Sequence, residues 1–506
     1  MITSRLWIVS LLYGMPAFCV GLALASMNSC LVLGDDNDAK KCYNGEDDSC
    51  PPGTIYNDLD LDPLRAQIAT ALGILGAWGG SLYGSNPSEK YGRRKTLLYN
   101  NIFFFVGGAL AAAGNEYTLY IGRIILGFGA GIGSTVCPVI LNEICATEDR
   151  GVIGSMYQAT LVFGIFIVAF VAFGFVTYVD NGWQFVQGFI FVPSTIMIIG
   201  APYLPESPKW LIQRQRDAEA TQVVTDLRTD DYDVREEISA IQSEIKQKQS
   251  TMSLSSGDNN AVTWADVFKA KEAVTVGTGL MFISAMTGIN TVIFYSTTIF
   301  GFAGFDEQIL ATASVGFVNL IFTFVGMYYA DRTGRKVLLL ASLVIMLFSL
   351  VLLSTILLMP GVDETAQGYV AVFACLSFVA GFSIGLGPVC WVVMSEMLPT
   401  RLRAKAFSLF LSVNWGANLI IAMVTLTTID LLGGVDSGMD DDDEISGREK
   451  SGVAYLYLIM SGITVCSIAF IQYYVPETKG KTPEQLQGLN TPLLLAMEND
   501  DDDKLS

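Results

Sequence analysis

EKYGRRK at residues 89–95 and DRTGRK at residues 331–336 are two copies of one pattern. In each copy an acid, a base and one further residue precede a glycine, and an arginine and another base follow it. Each copy lies between two long runs of uncharged residues. A charged connection that recurs in the first and second half of a chain is typical of a protein built from two similar halves.

On either side of these motifs, the chain consists of long runs with almost no charged residues. Of its 506 residues, 51% are hydrophobic and 16% are charged, against about 25% charged residues in soluble domains. A helix needs about 20 apolar residues to cross a bilayer, where lipid offers its backbone no other hydrogen-bond partner. The runs therefore predict twelve membrane-spanning helices, with Arg123 as their one charged residue. In chain order, as spans 1 to 12, they are 6–34, 66–88, 96–114, 117–142, 151–179, 181–205, 273–305, 309–330, 337–362, 365–395, 406–429 and 451–476.

Lysine and arginine are concentrated on one side of the predicted helices. Most of the 30 Lys and Arg residues fall at the chain ends and in the connections that follow the even-numbered spans. Because basic connections are retained in the cytoplasm, we expect both termini and both Gly-Arg motifs on the cytoplasmic side. That side of the molecule is called the motif face below.

Two further features of the motif face recur in both halves. A glutamate and an arginine with the same spacing follow span 4 and again span 10. Pro-Glu-Ser-Pro at 205–208 follows span 6, and Pro-Glu-Thr-Lys-Gly at 476–480 follows span 12. The repeat predicts a six-helix bundle at 1–205, a cytoplasmic linker with surface helices at 206–272, a second six-helix bundle at 273–476 and an acidic cytoplasmic tail at 477–506.

The charges of the motif face form two matched sets. Arginine and lysine at this position pair with carboxylates and with the carbonyl groups that end a neighbouring helix. Simple anchoring of the chain at the cytoplasmic surface is the alternative. Because such pairs must break when this side opens, the duplication favours a salt-bridge gate that biases two states. The residues of the predicted gate are Glu89, Arg93, Glu143, Arg150, Asp331, Arg335, Glu396 and Arg403.

Acidic residues dominate the predicted outer loops. The net charge is −19, and most of the excess lies at 35–62 and 430–449. Acidic runs of this kind form solvated loop surface. The alternative is that they attract cations or bind a partner at the outer face. Cys42 and Cys50 share the first of these loops, where an oxidising environment is compatible with a disulfide between them. The chain contains no histidine, and its pattern indicates no metal cage, no cofactor and no basic patch for nucleic acid.

Short motifs are distributed over nearly the whole chain, apart from the acidic loops and the tail. They are Gly122-Arg123, Glu143 with Arg150-Gly151, Gln158, the 205–208 motif, Gly288-Ile289-Asn290 with Tyr295, Asn319, Gly385-Leu386-Gly387-Pro388 with Trp391, Asn414-Trp415 with Asn418, and the 476–480 motif. Together they resemble the sugar porter family of the major facilitator superfamily, which includes the glucose facilitators. The resemblance implies an all-α membrane protein whose two pseudo-symmetric bundles of six helices carry a sugar by alternating access.

Five of the amide side chains inside the predicted spans belong to these motifs. Amides donate and accept hydrogen bonds at once, as sugar hydroxyls require, and polar residues within spans face a cavity by default. A hydrogen bond between two helices is the alternative for each amide taken alone. Trp391 supplies an aromatic platform or gate just after Gly385 and Pro388, which weaken span 10. The predicted substrate site consists of Gln158, Asn290, Asn319, Trp391, Asn414 and Asn418.

The chain departs from the family pattern in four places. Ser284 and Ala285 stand where the family usually has two glutamines, and Ser383 stands where facilitators often have a glutamate. Gly84 lies one residue farther from the acid of the first motif than in the family. Span 1 contains no Asp, Glu or His, although proton-coupled members carry an Asp there. The first difference leaves the identity of the sugar open, and the last concerns the mechanism.

Proton coupling needs a group that titrates within the membrane path, and arginine does not release its proton in proteins. We therefore expect a uniporter of monosaccharides, hexoses such as glucose, and no enzyme. The alternatives are a carrier of the same fold for a polyol, inositol or small organic anion, a proton-coupled sugar symporter, and a sensor that does not transport. The expected partners are the sugar and the lipid bilayer, and the expected location is the plasma membrane, with a vacuolar or endosomal membrane as the alternative.

Overall fold

The predicted spans appear as helices in a computed structural model of the chain. It describes residues 3–31, 53–59, 61, 63–229, 231–253, 264–293, 296, 308–359, 362–398, 400–433 and 442–481. The candidate disulfide between Cys42 and Cys50, most of the first acidic loop, residues 434–441 of the second, and all but the first residues of the tail lie outside these ranges.

Every predicted run contains a helix in its described part. In span order the helices are Ser4–Cys30, Pro63–Tyr91, Arg93–Ala111, Glu116–Ile144, Arg150–Tyr178, Gly182–Gly188 with Phe191–Gly200, Lys271–Met286, Gln308–Thr333, Arg335–Leu358, Glu364–Ile384 with Leu386–Met397, Thr400–Leu432 and Asp442–Tyr474. Within the described residues, nine helical segments are long and apolar enough to cross a membrane. The helices of spans 2, 3 and 7 are outside that set. Span 2 is rich in glycine and serine, span 3 opens with three basic residues, and the described helix of span 7 has 16 residues.

Spans 7 and 10 are interrupted at glycines of the motifs singled out above. The helix of span 7 ends at Met286, and Gly288 follows with a φ of +96°, a conformation that side chains with a Cβ rarely adopt. In span 10 one helix ends at Ile384 and the next begins at Leu386. A Cβ on the intervening Gly385 would lie 2.5 Å from the Leu338 carbonyl oxygen. Both breaks therefore need glycine.

The two halves meet along two seams. Span 2 packs against span 11 and span 5 packs against span 8, in addition to the contacts within each half. Spans 2 and 8 are equivalent in the repeat, as are spans 5 and 11. The two seams are therefore copies of one interface, which is the arrangement expected of a parallel repeat.

The linker forms short helices on the motif face, at Pro208–Gln213, Asp217–Leu227, Val234–Ser253 and Trp264–Lys269. The first three share a small apolar core around Trp210, Val224 and Ile241. Arg228 attaches this core to the first half, because its guanidinium pairs with Glu237 at 2.8 Å and donates to the Ile144 carbonyl at the end of span 4, at 2.9 Å. The last linker helix contacts the second half, where the Lys405 ammonium lies 5.5 Å from the centre of the Trp264 ring.

Candidate functional site

A cavity of about 80 Å³ lies between the two halves. All six residues of the predicted substrate site line it. Gln158 comes from the first half, on span 5, and the others come from spans 7, 8, 10 and 11 of the second half. The structure thus brings together side chains that are far apart in sequence, and it places them where the two halves face each other.

Three of the amides form a chain of hydrogen bonds along one wall of the cavity. Asn290 donates from Nδ2 to Asn418 Oδ1. Asn418 in turn donates to Asn414 Oδ1 at 3.1 Å, and Asn414 donates to the Met281 carbonyl at 2.9 Å. Asn414 and Asn418 meet because residues four apart share one face of a helix. All three hydrogen bonds point the same way, from Asn290 toward the Met281 carbonyl. Asn290 Oδ1, at the start of the series, therefore receives no hydrogen bond from the other two amides.

Gln158 and Trp391 join the two halves at the cavity. The Trp391 indole donates from Nε1 to Gln158 Oε1 at 3.1 Å. The Trp391 ring also packs against Tyr157, with 4.5 Å between ring centroids and an interplanar angle of 60°. One contact thus pairs the predicted aromatic platform with the one predicted amide of the first half.

Several cavity residues were not part of the predicted site. Tyr157, Ser284 and Trp415 line the cavity alongside the six. Trp415 is buried and its indole Nε1 has no hydrogen-bond partner within the described part of the chain. The sequence signal that points to Trp415 is its position directly after Asn414 in the Asn414-Trp415 motif. Ser284 shows that a position where the family has an amide still faces the cavity, with a shorter side chain.

The described lining of the cavity contains no Asp, Glu, Lys, Arg or His. Its polar groups are amides, hydroxyls and indole N–H groups, which bind neutral hydroxyl compounds through hydrogen bonds. Burial of an uncompensated charged solute in such a lining is unfavourable. The chemistry of the cavity therefore suits an uncharged, hydroxyl-rich molecule.

Hydrogen bonds between the halves lie on both sides of the cavity. On the motif side, Ser408 donates to the Ser81 carbonyl, and Trp78 Nε1 donates to Ser412 Oγ at 2.9 Å. On the opposite side, Asn28 Nδ2 donates to Ser296 Oγ at 3.1 Å. Asn319 and Asn418, inside the cavity, have exposed fractions of only 1% and 2%. Contacts between described residues therefore hold the two halves together on both sides of the cavity.

The predicted gate residues form one ion pair in each half, buried in the first half and partly buried in the second. Arg93 donates to both carboxylate oxygens of Glu143, at 3.0 and 3.2 Å. Arg335 Nη2 donates to Glu396 Oε1 at 2.9 Å. The side chains of Arg93 and Glu143 are 5% and 0% exposed. Both pairs connect helices of the same half, so neither bridges the two halves directly.

The other predicted gate residues have different surroundings. Arg403 donates to the Ser395 and Leu398 carbonyls at the end of span 10. The Glu89 carbonyl accepts hydrogen bonds from Trp210 Nε1 and Arg214 on the first linker helix. The side chains of Arg150 and Asp331 lie outside the described part of the structure.

The glutamates of the two Pro-Glu motifs cap helices of the Gly-Arg motifs. Glu206 accepts from the backbone N–H groups of Arg93 and Arg94, and Glu477 accepts from those of Arg335 and Lys336, at 2.9–3.3 Å. These are the first N–H groups of spans 3 and 9, which have no partner within their own helix. A carboxylate here also interacts favourably with the helix dipole. Both motifs are recognisable in the sequence, but their contact is not.

The two capping carboxylates differ in their electrostatics. Burial is the largest influence on Glu206 and raises its pKa, although the N–H groups of Ser207, Arg94 and Arg93 act in the opposite sense. Burial alone would also raise the pKa of Glu477. There the N–H groups of Arg335, Lys479 and Lys336 and the Arg335 charge outweigh it and hold the pKa below its usual value.

Arg123, the one charged residue inside the predicted spans, is held by neutral groups. It donates to the Ala23 carbonyl at 2.8 Å, to Ser26 Oγ at 3.1 Å and to the Ala69 carbonyl at 3.4 Å. Ala23 and Ser26 belong to span 1, which has no Asp, Glu or His. The described contacts of this cation on span 1 therefore include no group that titrates near neutral pH.

Known proteins share both the sequence and the fold. The profile of the family described as "Sugar (and other) transporter" matches residues 9–489. The chain is 31% identical to the probable metabolite transport protein CsbC of Bacillus subtilis over 86% of this chain and 88% of that protein. It is 30% identical to plastidic glucose transporter 4 of Arabidopsis thaliana, over 84% and 72% of the two chains. It is 29% identical to the galactose-proton symporter of Escherichia coli, over 82% and 83%.

Among solved structures, the proton:xylose symporter XylE bound to 6-bromo-6-deoxy-D-glucose superimposes with a TM-score of 0.76 at 23% identity, over 97% of this chain and 100% of XylE. The fold is therefore the all-helical major facilitator fold, which confirms the predicted fold class. With the family profile matched over most of its length, the chain belongs to the sugar porter family of membrane transporters. The predicted resemblance is confirmed, and the chain is a transporter rather than an enzyme.

Proposed function

We propose that this transporter is a facilitative carrier of neutral monosaccharides, hexoses such as glucose, and that it works by alternating access. The observation that supports this most directly is the cavity between the halves. It is lined by five amides and two indoles, and its described lining contains no charged residue. Gln158, Asn290, Asn319, Trp391, Asn414 and Asn418 bind the substrate in this proposal.

Transport without protons is the second part of the proposal. Arg123 is bound on span 1 by a carbonyl and a hydroxyl, and neither exchanges a proton near neutral pH. Glu143 and Glu396 lie at the motif face and pair with Arg93 and Arg335. The galactose-proton symporter among the relatives is the reason for testing this point directly.

A polyol is the second candidate substrate. Ser284 lines the cavity where the family usually has an amide, so it presents a single hydroxyl there. A putative polyol transporter of Arabidopsis thaliana is 30% identical over 86% of this chain and 85% of that protein. The absence of a cation from the described lining disfavours an organic anion, which would be buried without a partner.

The remaining assignments follow from the repeat and from the distribution of basic residues. The bundles at 1–205 and 273–476 rock against each other. Of the linker at 206–272, the first three helices stay with the first bundle through Arg228, and the last helix stays with the second bundle. Gating at the motif face is assigned to Glu89, Arg93, Glu143, Arg150, Asp331, Arg335, Glu396 and Arg403. The motif face and both termini lie in the cytoplasm, and the plasma membrane is the proposed location.

The test is uptake of labelled glucose, fructose, galactose, mannose and myo-inositol into proteoliposomes that contain the purified protein. Saturable uptake of a hexose, competed by the unlabelled sugar, supports the proposal, and uptake of myo-inositol alone supports the polyol. Uptake of none of the five by folded protein contradicts the proposal.

A further inference from the structure

Ser383 contacts Asn319 at the edge of the cavity. Ser383 Oγ lies 2.8 Å from Asn319 Oδ1, and the two residues are 0% and 1% exposed. Asn319 lines the cavity from span 8, whereas Ser383, on span 10, is not among the described lining residues. Ser383 therefore does not face the cavity itself, and it can influence a molecule in the cavity only through its contact with Asn319.

The Ser383 hydroxyl has one proton and two acceptors within reach. The second acceptor is the Val379 carbonyl, one helical turn earlier, at 2.7 Å. When the proton points to Asn319 Oδ1, the amide presents its NH₂ group to the cavity. When it points to Val379, the hydroxyl oxygen accepts from a rotated amide, and Asn319 Oδ1 then faces the cavity. The direction of one hydroxyl thus decides whether Asn319 is a donor or an acceptor.

The Asn319 amide has the orientation of the first arrangement. Its Oδ1 lies within hydrogen-bond distance of Ser383 Oγ, and no hydrogen bond links Asn319 Nδ2 to any described residue. We propose that Ser383 is a specificity-determining positioning residue, which orients Asn319 so that it donates to one oxygen of the substrate. The inference rests on the proposed function, because it assigns Asn319 a contact with a transported sugar.

A donor at this place discriminates between sugar analogues in a defined way. Fluorine is a weak hydrogen-bond acceptor and cannot donate, so a fluorine at the oxygen facing Asn319 keeps part of the contact, whereas a deoxy analogue loses it. One neutral hydrogen bond corresponds to about a 2- to 10-fold difference in affinity. Ser383→Ala removes the group that fixes the amide, so the preference for the fluoro over the deoxy analogue falls by about that factor.

The test measures inhibition constants of the monodeoxy and monofluoro series of the best transported hexose, in proteoliposomes of wild type, Asn319→Ala, Ser383→Ala and Ser383→Thr. Uptake of the unmodified hexose by wild type tests the proposed function separately. Asn319→Ala identifies the position whose deoxy analogue no longer costs affinity. At that position alone, Ser383→Ala is expected to lower the fluoro preference, and Ser383→Thr, which keeps the hydroxyl, to retain it.

Three results would overturn the inference. The first is that no position loses its deoxy penalty in Asn319→Ala, so that Asn319 does not contact the sugar. The second is an unchanged fluoro preference in Ser383→Ala. The third is an equal loss of affinity for every analogue in Ser383→Ala, which means that the serine serves packing alone. If wild type takes up no hexose, the proposed function itself fails, and the inference falls with it.

Discussion

At the scale of single residues, Asn418 is the central amide of the hydrogen-bonded series in the cavity wall. It accepts from Asn290 and donates to Asn414, and it is 2% exposed. Removal of either neighbour leaves a buried amide group without a partner, which costs about 1–3 kcal/mol. The same amides face the cavity, so changes there affect binding as well as stability.

Asn290→Ala is expected to raise the KM for the transported sugar by about tenfold or more, because it removes an amide from the cavity and leaves Asn418 Oδ1 without its donor. Initial rates of uptake in proteoliposomes measure this. Asn100→Ala is the matched control, since Asn100 is a buried amide that donates to the Gly129 carbonyl and does not line the cavity. Equal KM values for Asn290→Ala and wild type would contradict the site.

The residue type and the family pattern together predicted which amides face the cavity. Tyr157 escaped prediction because a tyrosine in an apolar span looks like any other packing residue until its neighbours are known. The bond between Ser383 and Asn319 escaped for a related reason. It joins two spans, and the spacing of polar residues along one helix carries no information about such a contact.

At the scale of elements, the start of span 3 and the start of span 9 are built in the same way. Gly92 and Gly334 have φ values of +96° and +98°, and a Cβ at either position would collide with the capping carboxylate, Glu206 or Glu477. The glycine thus supplies both the turn and the room for the cap. Sequence analysis predicted the repeated charges, but the capping contact joins segments more than 100 residues apart and leaves no local pattern.

Gly92→Ala and Gly334→Ala are each expected to destabilise the protein by about 1–3 kcal/mol, because a non-glycine residue is strained at this φ and the cap must move. Thermal unfolding in detergent measures the loss. Gly174→Ala is the control, since nothing lies within 4 Å of a Cβ built there. A control that loses as much stability as the two variants would rule out the capping account.

Glu206→Gln and Glu477→Gln are expected to differ in their pH dependence. Because the folded-state pKa of Glu477 is lowered, its stabilising effect is present above its unfolded-state pKa and is lost as the pH falls through the folded-state value. Because the pKa of Glu206 is raised, its charged form is unfavourable in the folded state, and this cost appears as the pH rises through the folded-state value.

Glu477→Gln therefore lowers the melting temperature near pH 7, and the difference from wild type shrinks in acid. Glu206→Gln changes the melting temperature less near pH 7, since the charge that it removes is unfavourable in the folded state. Melting curves from pH 4 to pH 8 distinguish the two, and identical pH profiles would refute the asymmetry.

At the scale of the whole molecule, the repeat predicts two similar bundles, but the sequence does not reveal the state in which the halves rest. In the described residues, hydrogen bonds join the halves on both sides of the cavity. Arg93 connects those on the motif face to the ion pairs, because it also donates to the Ser88 carbonyl at the end of span 2. Ser81 on the same helix accepts from Ser408 across the seam.

Arg93→Ala and Arg335→Ala are expected to shift the protein toward a state open at the motif face, since each removes an ion pair on that face. The loss costs about 3–5 kcal/mol for the buried Arg93–Glu143 pair and less for the partly buried Arg335–Glu396 pair. Accessibility of engineered cysteines to a soluble thiol reagent, on the motif face and on the opposite face, measures the shift. Labelling that does not change on either face would leave the arginines as anchors of topology.

The central claim is that the uncharged cavity carries a sugar without a proton. The most direct measurement is hexose uptake into proteoliposomes with and without an imposed pH gradient, with internal sugar compared to external sugar at the end point. The account predicts equilibration to the same concentration on both sides, whether or not the gradient is present. Accumulation above the external concentration that depends on the gradient would contradict it, and would make Glu143 and Glu396 the first residues to substitute.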